Sequence, residues 1–520
     1  MATGKSTLGK LVAERTGAPF VDLDQRIEQR AGATVVELFE RNGEARFRAL
    51  ERDELEKVLD EARGASAPPV VALGGGALLR RDVRLRALDE AVVITLAAMP
   101  QTILARAATT GGRPLLANGY SEERVLELIE QRAQAYAEAH ATVFSDQVAP
   151  AELAERLCAI WSRDPIAVAA GDRSYAVEVG ASLAAERLPE LAGRASRLLL
   201  VSDENVMRHH AALADALDRA RPGLARVVLP PGEQHKNTGS LERIWQAALD
   251  ASVDRQSVLI AIGGGVVSDV AGFAAASWMR GIRWIAVPTT LLAMVDASVG
   301  GKTAVDFGPA KNAVGAFWQP SAVVCDVSLL ATEPARGYCS ALAEIVKTAI
   351  IGDAELLDVL EDERAAIVAR ETSALSKIVR RSIRVKARIV GLDERESGLR
   401  AVLNLGHTVG HALEAPGGYT RLTHGEAVSL GLVAALELGR ALGRTPAALA
   451  ERARRLLAAY GLPVDVARQP LAEAAALIGH DKKRAGSVLR FVVAREAGQV
   501  EAVELGLEEL RARVMSLAAS

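Results

Sequence analysis

SVLIAIGGGVVSDVAG, residues 257–272, decides how this chain is read. A β-branched apolar run ends in three glycines and opens directly into a helix-periodic segment. Such a strand-to-helix turn lets backbone N–H groups come close to a pyrophosphate. A glycine turn can also be no more than a tight turn, so its neighbours matter. PPGEQHKN (230–237) offers Glu233 as a ribose-hydroxyl acceptor and Lys236 as a donor on the phosphate or adenine side. VPTTLLAMVDASVGGK (287–302) adds two threonines and a second glycine turn. The runs RLLLVSD (197–203), ARVVLPP (225–231), WIAVPTT (284–290) and SAVVCD (321–326) alternate with helical stretches. That alternation predicts a Rossmann-like parallel α/β domain over residues 164–330.

Beyond Leu330 the chain becomes Ala-, Leu- and Arg-rich, with apolar residues every three or four positions and few strand signals before VLRFVVA (488–494). A mostly helical domain over 331–520 is expected. On the other side, SRDPIAV (162–168) closes a helix, because the residue before Pro165 is biased away from helical dihedrals. Upstream of that boundary, PFVDLD (19–24), PVVALGGG (69–76) and AVVITL (91–96) alternate with charged helical segments. Residues 1–163 therefore read as another parallel α/β domain.

Composition agrees with several domains: 520 residues exceed what one core serves. Half of them are hydrophobic, 24% are charged and the net charge is only −3, which excludes a nucleic-acid coat. Cys158, Cys325 and Cys339 are odd in number and far apart, which fits a reducing compartment and no disulfide framework. No stretch reaches the ~18 apolar residues of a membrane helix, and no apolar signal core opens the chain. The cytoplasm, with no membrane or nucleic-acid partner, is the expected setting.

Of eight histidines, His407, His411 and His424 crowd into LNLGHTVGHALE (403–414) and LTHGEAV (422–428). On a helix His407 and His411 share a face, so spacing alone makes both of them metal ligands with a third arriving from elsewhere. AEIVK (343–347) supplies a carboxylate upstream. Imidazoles plus one carboxylate leave zinc an open position for substrate oxygens. Lys302, Lys311, Lys347, Lys386, Arg400 and Lys482 stand in segments that otherwise look buried or Gly-rich. Single lysines are usually solvated, but together they suit a substrate carrying carboxylate and phosphate, since each oxyanion must be paired on entry.

GEQHKN (232–237), GGGVVSDVAGF (263–273), the stretch 288–320, AEIVKTAII (343–351), DERESGLR (393–400), the two histidine segments and DKK (481–483) follow one another in the order seen in 3-dehydroquinate synthases, which the chain resembles from about 170 to 515. The resemblance implies zinc, or another divalent ion such as cobalt, on Glu344, His407 and His424. His411 then passes to the substrate's phosphate-bearing end. It implies NAD on Asp203, Asn205, Glu233, Lys236, Gly264, Gly265, Asp269, Thr289, Thr290 and Lys311. Substrate would meet Asp296, Lys302, Asn312, Lys347, Lys386, Glu396, Arg400, Asn404 and Lys482, with Arg280 entering from a neighbouring subunit of a homodimer. The family acts on 3-deoxy-arabino-heptulosonate 7-phosphate: transient oxidation at C5 acidifies the adjacent C–H, phosphate leaves, and an aldol closure gives 3-dehydroquinate.

The opening MATGKSTLGK carries Gly4, Lys5, Ser6 and Thr7, the tail of a P-loop, where Lys pairs phosphates and Ser holds magnesium. VDLDQRIEQ (21–29), GEARFRALE (43–51), ALGGGALL (72–79), GGRPLL (111–116) and QRAQAY (131–136) resemble the ordered motifs of shikimate kinases. That resemblance places shikimate on Asp24, Arg48, Gly74, Gly75, Gly76 and Arg132, with Asp22 in the magnesium shell. Arg106 would lie beside the adenine of ATP and Arg113 over the phosphates. The first P-loop glycine and the strand before it would precede Met1. Two explanations stay open: a chain starting ~10 to 20 residues upstream, judged from the ~5-residue strand and loop, or a degraded kinase kept as a nucleotide-binding scaffold. The alternatives for the synthase part are an NAD- and metal-dependent polyol dehydrogenase and another sugar-phosphate cyclase.

Overall fold

The computed structural model describes residues 2–110, 121–146, 148–308, 310–414, 421–479 and 488–519. The chain folds into two compact units, Met1–Glu178 and Val179–Ser520.

In the first unit the order is α1 (Lys5–Thr16), β1 (Phe20–Asp22), α2 (Leu23–Ala31), α3 (Val35–Ala62), β2 (Val70–Ala72), α4 (Arg81–Glu90), β3 (Ile94–Ala97), α5 (Pro100–Thr110), α6 (Glu122–Ala137), β4 (Ala141–Phe144) and α7 (Pro150–Arg163). The strands are short and make two separate parallel pairs, β1 with β2 and β3 with β4. Leu8 and Val12 of α1 pack with Leu153, Ala154 and Leu157 of α7 against Val70, Ile94, Leu96 and Val143, so one helical layer covers both pairs. A second core joins α2, α3 and α4 through Ile27, Phe47, Leu55, Val58 and Val83. Thr34 starts α3 with a capping box, its side chain and that of Glu37 each bonding the other's backbone N–H. Two antiparallel strands follow, β5 (Ile166–Val168) and β6 (Tyr175–Gly180).

The second unit begins with α8 (Ala184–Ala192), β7 (Leu198–Asp203), α9 (Glu204–Ala220), β8 (Ala225–Leu229), α10 (Thr238–Asp250), β9 (Val258–Gly263), α11 (Gly265–Ser277) and β10 (Arg283–Pro288). A hairpin of β11 (Lys302–Phe307) and β12 (Ala310–Phe317) then precedes β13 (Ala322–Asp326). Five parallel strands run 13-10-9-7-8 across the sheet. Leu199, Leu200, Ile260, Ile285 and Val324 are all but inaccessible to solvent, which is why these strands read as continuous apolar runs. The order reverses between β7 and β9, and at such a switch point the strands' carboxyl ends leave a crevice for a ligand.

Helices make up most of the rest: α12 (Ala335–Gly352), α13 (Ala354–Asp362), α14 (Arg364–Val368), α15 (Thr372–Leu392), α16 (His407–Glu414), α17 (His424–Ala441), α18 (Ala447–Ala459) and α19 (Leu471–Leu477). The hairpin β14 (Val488–Glu496) and β15 (Gln499–Gly506) and the helix α20 (Leu507–Ser516) complete the unit. Helices α12, α16 and α17 approach closely because glycines line their contacts. A Cβ on Gly425 would fall 1.8 Å from Ser340 O, and one on Gly431 2.1 Å from Gly406 O.

Candidate active sites

That close approach sets the geometry of the histidine cluster. Glu344 projects from the middle of α12, while His407 and His424 open α16 and α17. His407 Nε2 lies 3.5 Å and His424 Nε2 3.3 Å from Glu344 Oε1. One ligand atom from each of the three falls within 4.8 Å of the others. Glu344 is 2% exposed and its Oε1 has no hydrogen-bond partner. A buried carboxylate oxygen left unmade is costly, and a divalent ion among these donors would satisfy it. The donor set therefore fits zinc. Glu344 Oε2 is paired to Lys347 Nζ at 2.5 Å, one helical turn on.

Electrostatics separate the imidazoles. Burial, then the Lys347 charge, pushes His407 down to about 3. Burial also lowers His411. It works against the proton on His424 too, but the Glu344 and Glu414 carboxylates outweigh it and raise that ring to about 10. Glu344 itself, against the effect of burial, is held well below the carboxylate range by Lys347 and the imidazoles. His411 stands at the exposed edge, its ring centroid 5.1 Å from that of His407 and 6.0 Å from that of His424.

Cations converge beside this cluster. Lys386, from α15, donates to the Asp296 carboxylate and, at 2.5 Å, to the Asp296 carbonyl. Asp296 sits in a π-helical turn, Ala293–Ala297, closed by the bond from Ser298 N to Ala293 O; such turns recur at functional sites. Burial would raise Asp296, but Lys386 holds it down at about 2. Lys386 in turn is lowered by its own burial, which Asp296 opposes. Arg400, 3% exposed, donates to the carbonyls of Glu394 at 2.7 Å and Gly300 at 3.3 Å. Its loop is tied by Asp393, which accepts from Ser397 N, Gly398 N and Arg400 N at 2.8–2.9 Å. Glu396 pairs with Lys302 and interacts with Asn404. Arg280 is exposed and carries a positive φ of 64°. Lys482 lies outside the described residues.

The sequence-predicted dinucleotide groups collect at the switch point. Asp203 ends β7 and caps α9 through Val206 N at 2.9 Å, with Asn205 next to it in the helix. Gly264 and Gly265 open α11, whose start has no side-chain cap, so its N–H groups can serve an anion. Thr289 and Thr290 follow β10, and Thr289 N bonds Gly263 O at 2.9 Å. Lys236 lies 2.6 Å from Asp269, which burial raises to about 6 despite that charge, and Lys236 also bonds Asn312. Glu233 is 4.0 Å from Lys311. These residues fit NAD: an uncapped helix start and bare glycines stand at the carboxyl end of β9, with a paired carboxylate one turn into α11.

In the first unit, Gly4 takes the left-handed conformation before Lys5 begins α1, and Ser6 Oγ donates to Asp22 Oδ2 at 2.7 Å. A hydroxyl and a carboxylate so placed suit magnesium. Thr7 is exposed one residue on. Burial, then Asp22, raises Asp24. Arg48 pairs at 2.6 Å with Glu51, a carboxylate the sequence reading missed. Glu51 is 1% exposed, its Oε1 has no hydrogen-bond partner, and its i+3 spacing from Arg48 was the available signal. Gly74 and Gly76 leave room for these groups: a Cβ on Gly74 would meet Glu51 and Asp24, and one on Gly76 would meet Arg48. Arg132 and the likewise missed Tyr136 both donate to Gly75 O, at 3.1 and 2.7 Å. Arg106 holds Ser145 through two 3.0 Å bonds. Arg113 lies outside the described residues.

Comparison with known proteins follows the same division. Residues 1–161 match the shikimate kinase family, residues 226–340 the 3-dehydroquinate synthase N-terminal family and residues 341–484 its C-terminal family. The 3-dehydroquinate synthase of Azotobacter vinelandii is 46% identical over 337 residues, spanning 63% of this chain and 90% of that protein. That of Caulobacter vibrioides is 43% identical over 344 residues, 64% and 93% of the two chains. Among solved structures, 2-epi-5-epi-valiolone synthase from Streptomyces hygroscopicus, with NAD+ and Zn2+ bound, is 28% identical with a TM-score of 0.60, over 66% of this chain and 97% of that one. A 2-deoxy-scyllo-inosose synthase, 22% identical over 67% and 99% of the two chains with a TM-score of 0.61, shares the fold. The chain belongs to the 3-dehydroquinate synthase family and carries a shikimate kinase domain ahead of the synthase in the same polypeptide.

Proposed function

We propose that the synthase part converts 3-deoxy-arabino-heptulosonate 7-phosphate to 3-dehydroquinate and phosphate, and that the kinase part phosphorylates shikimate with magnesium-bound ATP. The observation that carries the first reading is the convergence of the Nε2 atoms of His407 and His424, at 3.5 and 3.3 Å, on the buried Oε1 of Glu344. Those three residues would hold zinc, and the groups around Gly264 would hold NAD, with domain limits at 163 and 330. When bound, the two supply polarisation of a substrate hydroxyl and a reversible hydride acceptor.

The protein's own groups handle the charge. Lys347, Lys386 and Lys302 are each paired to a carboxylate. Lys347 and Lys386 are also buried, so their charges are already drawn out of water and an entering phosphate or carboxylate takes them up without that penalty, whereas Lys302 stays half exposed at the rim. Arg400, Asn404, Asn312 and Lys482 would bind the rest of the substrate, with His411 toward its phosphate. Asp296, held at about 2 by Lys386, is a poor base. The family resemblance assigns proton acceptance to the substrate's own phosphate, in keeping with so weak a base at Asp296. A cytoplasmic homodimer completes the reading, in which Arg280, exposed on its own chain, would enter a neighbouring site.

The test mixes protein, zinc, NAD and the heptulosonate phosphate and follows phosphate and NADH together. Stoichiometric phosphate without lasting NADH is expected; NADH that accumulates without phosphate would sink the proposal. His407→Ala should remove both turnover and zinc.

A further inference from the structure

Beside the three ligands stands a carboxylate with no role so far. Glu414 is the last residue of α16 and falls on the face of His407 and His411, at i+7 and i+3. A helix's final turn is its negative end and opposes a carboxylate there. Yet the Glu414 side chain is only 12% exposed, and its Oε1 lies 3.5 Å from His424 Nδ1. His407 is built alike: its Nδ1 lies 3.3 Å from Leu405 O while its Nε2 faces Glu344. Each ring thus has an acceptor behind it and Glu344 in front.

We infer that Glu414 is a positioning residue, taking the Nδ1–H of His424 and so fixing the tautomer and ring plane that present Nε2 to the metal. A carboxylate behind a ligating imidazole also makes that imidazole a stronger donor, and loss of such a partner costs 10–100-fold in metal affinity. The inference rests on the ligand set Glu344, His407 and His424. His411, Glu414 and His424 also bring ligand atoms within 4.8 Å of one another, so a second ion is the competing role for Glu414.

The experiment measures zinc stoichiometry and affinity in the full-length metal-free protein by competition with a chromophoric chelator. Glu414→Gln should bind one zinc per chain about 10–100-fold more weakly than wild type, and Glu414→Asp should recover part of that loss. Unchanged affinity in Glu414→Gln would overturn the inference, as would two zinc ions in the wild type with one lost in the variant. His407→Ala distinguishes the underlying reading: if it kept wild-type affinity, the ligand set itself would fall, whatever Glu414 does. Should Glu414→Gln not fold, nitrogen-15 spectra of the wild-type histidines decide. His424 with metal on Nε2 and a proton on Nδ1 supports the role; metal on Nδ1 refutes it.

Discussion

Glu333 is 8% exposed, and its Oε2 accepts the N–H of Leu291, just past Thr289 and Thr290, at 2.9 Å. Burial raises its carboxyl to about 7, while that bond and the charge of Arg370 pull the other way. The folded-state value is above the unfolded one, near 4.5. The contribution to stability is therefore full below about pH 4.5 and is lost as pH rises through about 7, leaving a buried carboxylate. Glu333→Gln keeps an acceptor for Leu291 and cannot ionise. Its melting temperature relative to wild type should rise between pH 4.5 and 7 and level off above, with an upper limit of about 3 kcal/mol from the size of the shift. A difference independent of pH would show that Glu333 is not the titrating group.

Between elements, what the sequence discloses depends on whether a pattern is local. The strands β7, β9, β10 and β13 were legible because burial on both faces demands unbroken apolar runs. The β11–β12 hairpin was not: β12 is exposed along most of its length, so no buried face imprints an alternation. Nor could spacing reveal that the first unit's strands stand as two pairs, since pairing joins distant segments. The glycines of α17 were visible, but their purpose was not, because it lies in the backbone of α16 and α12. Gly431→Ala tests that purpose. Its methyl group would meet the backbone carbonyl of Gly406, which no rotamer change can clear. The helices must separate, at a cost of about 1–3 kcal/mol or more. Zinc should be lost along with a drop in melting temperature; a variant that keeps both would show that close helix approach does not set the site.

At the scale of the whole chain, the ligand set illustrates the limit of reading by spacing. The i, i+4 rule pairs His407 with His411, yet the structure turns His407 and His424, from two helices, onto one carboxylate of a third. Family resemblance, not spacing, pointed to His407 with His424, because no single segment contains the cluster that Glu344 joins. The same chain holds a second, unrelated constellation in the other compact unit, around Lys5, Ser6, Asp22 and Asp24. Each constellation is built from residues of its own unit, and shikimate phosphorylation does not use the synthase product directly. Lys5→Ala should therefore abolish shikimate-dependent ATP consumption, since a cation that pairs phosphates in the transition state is gone. Phosphate release from the heptulosonate phosphate should stay within about twofold of wild type, less than the tenfold that 1.4 kcal/mol would bring. Loss of both activities in the folded variant would mean that the halves share a functional coupling which their separate sites do not disclose.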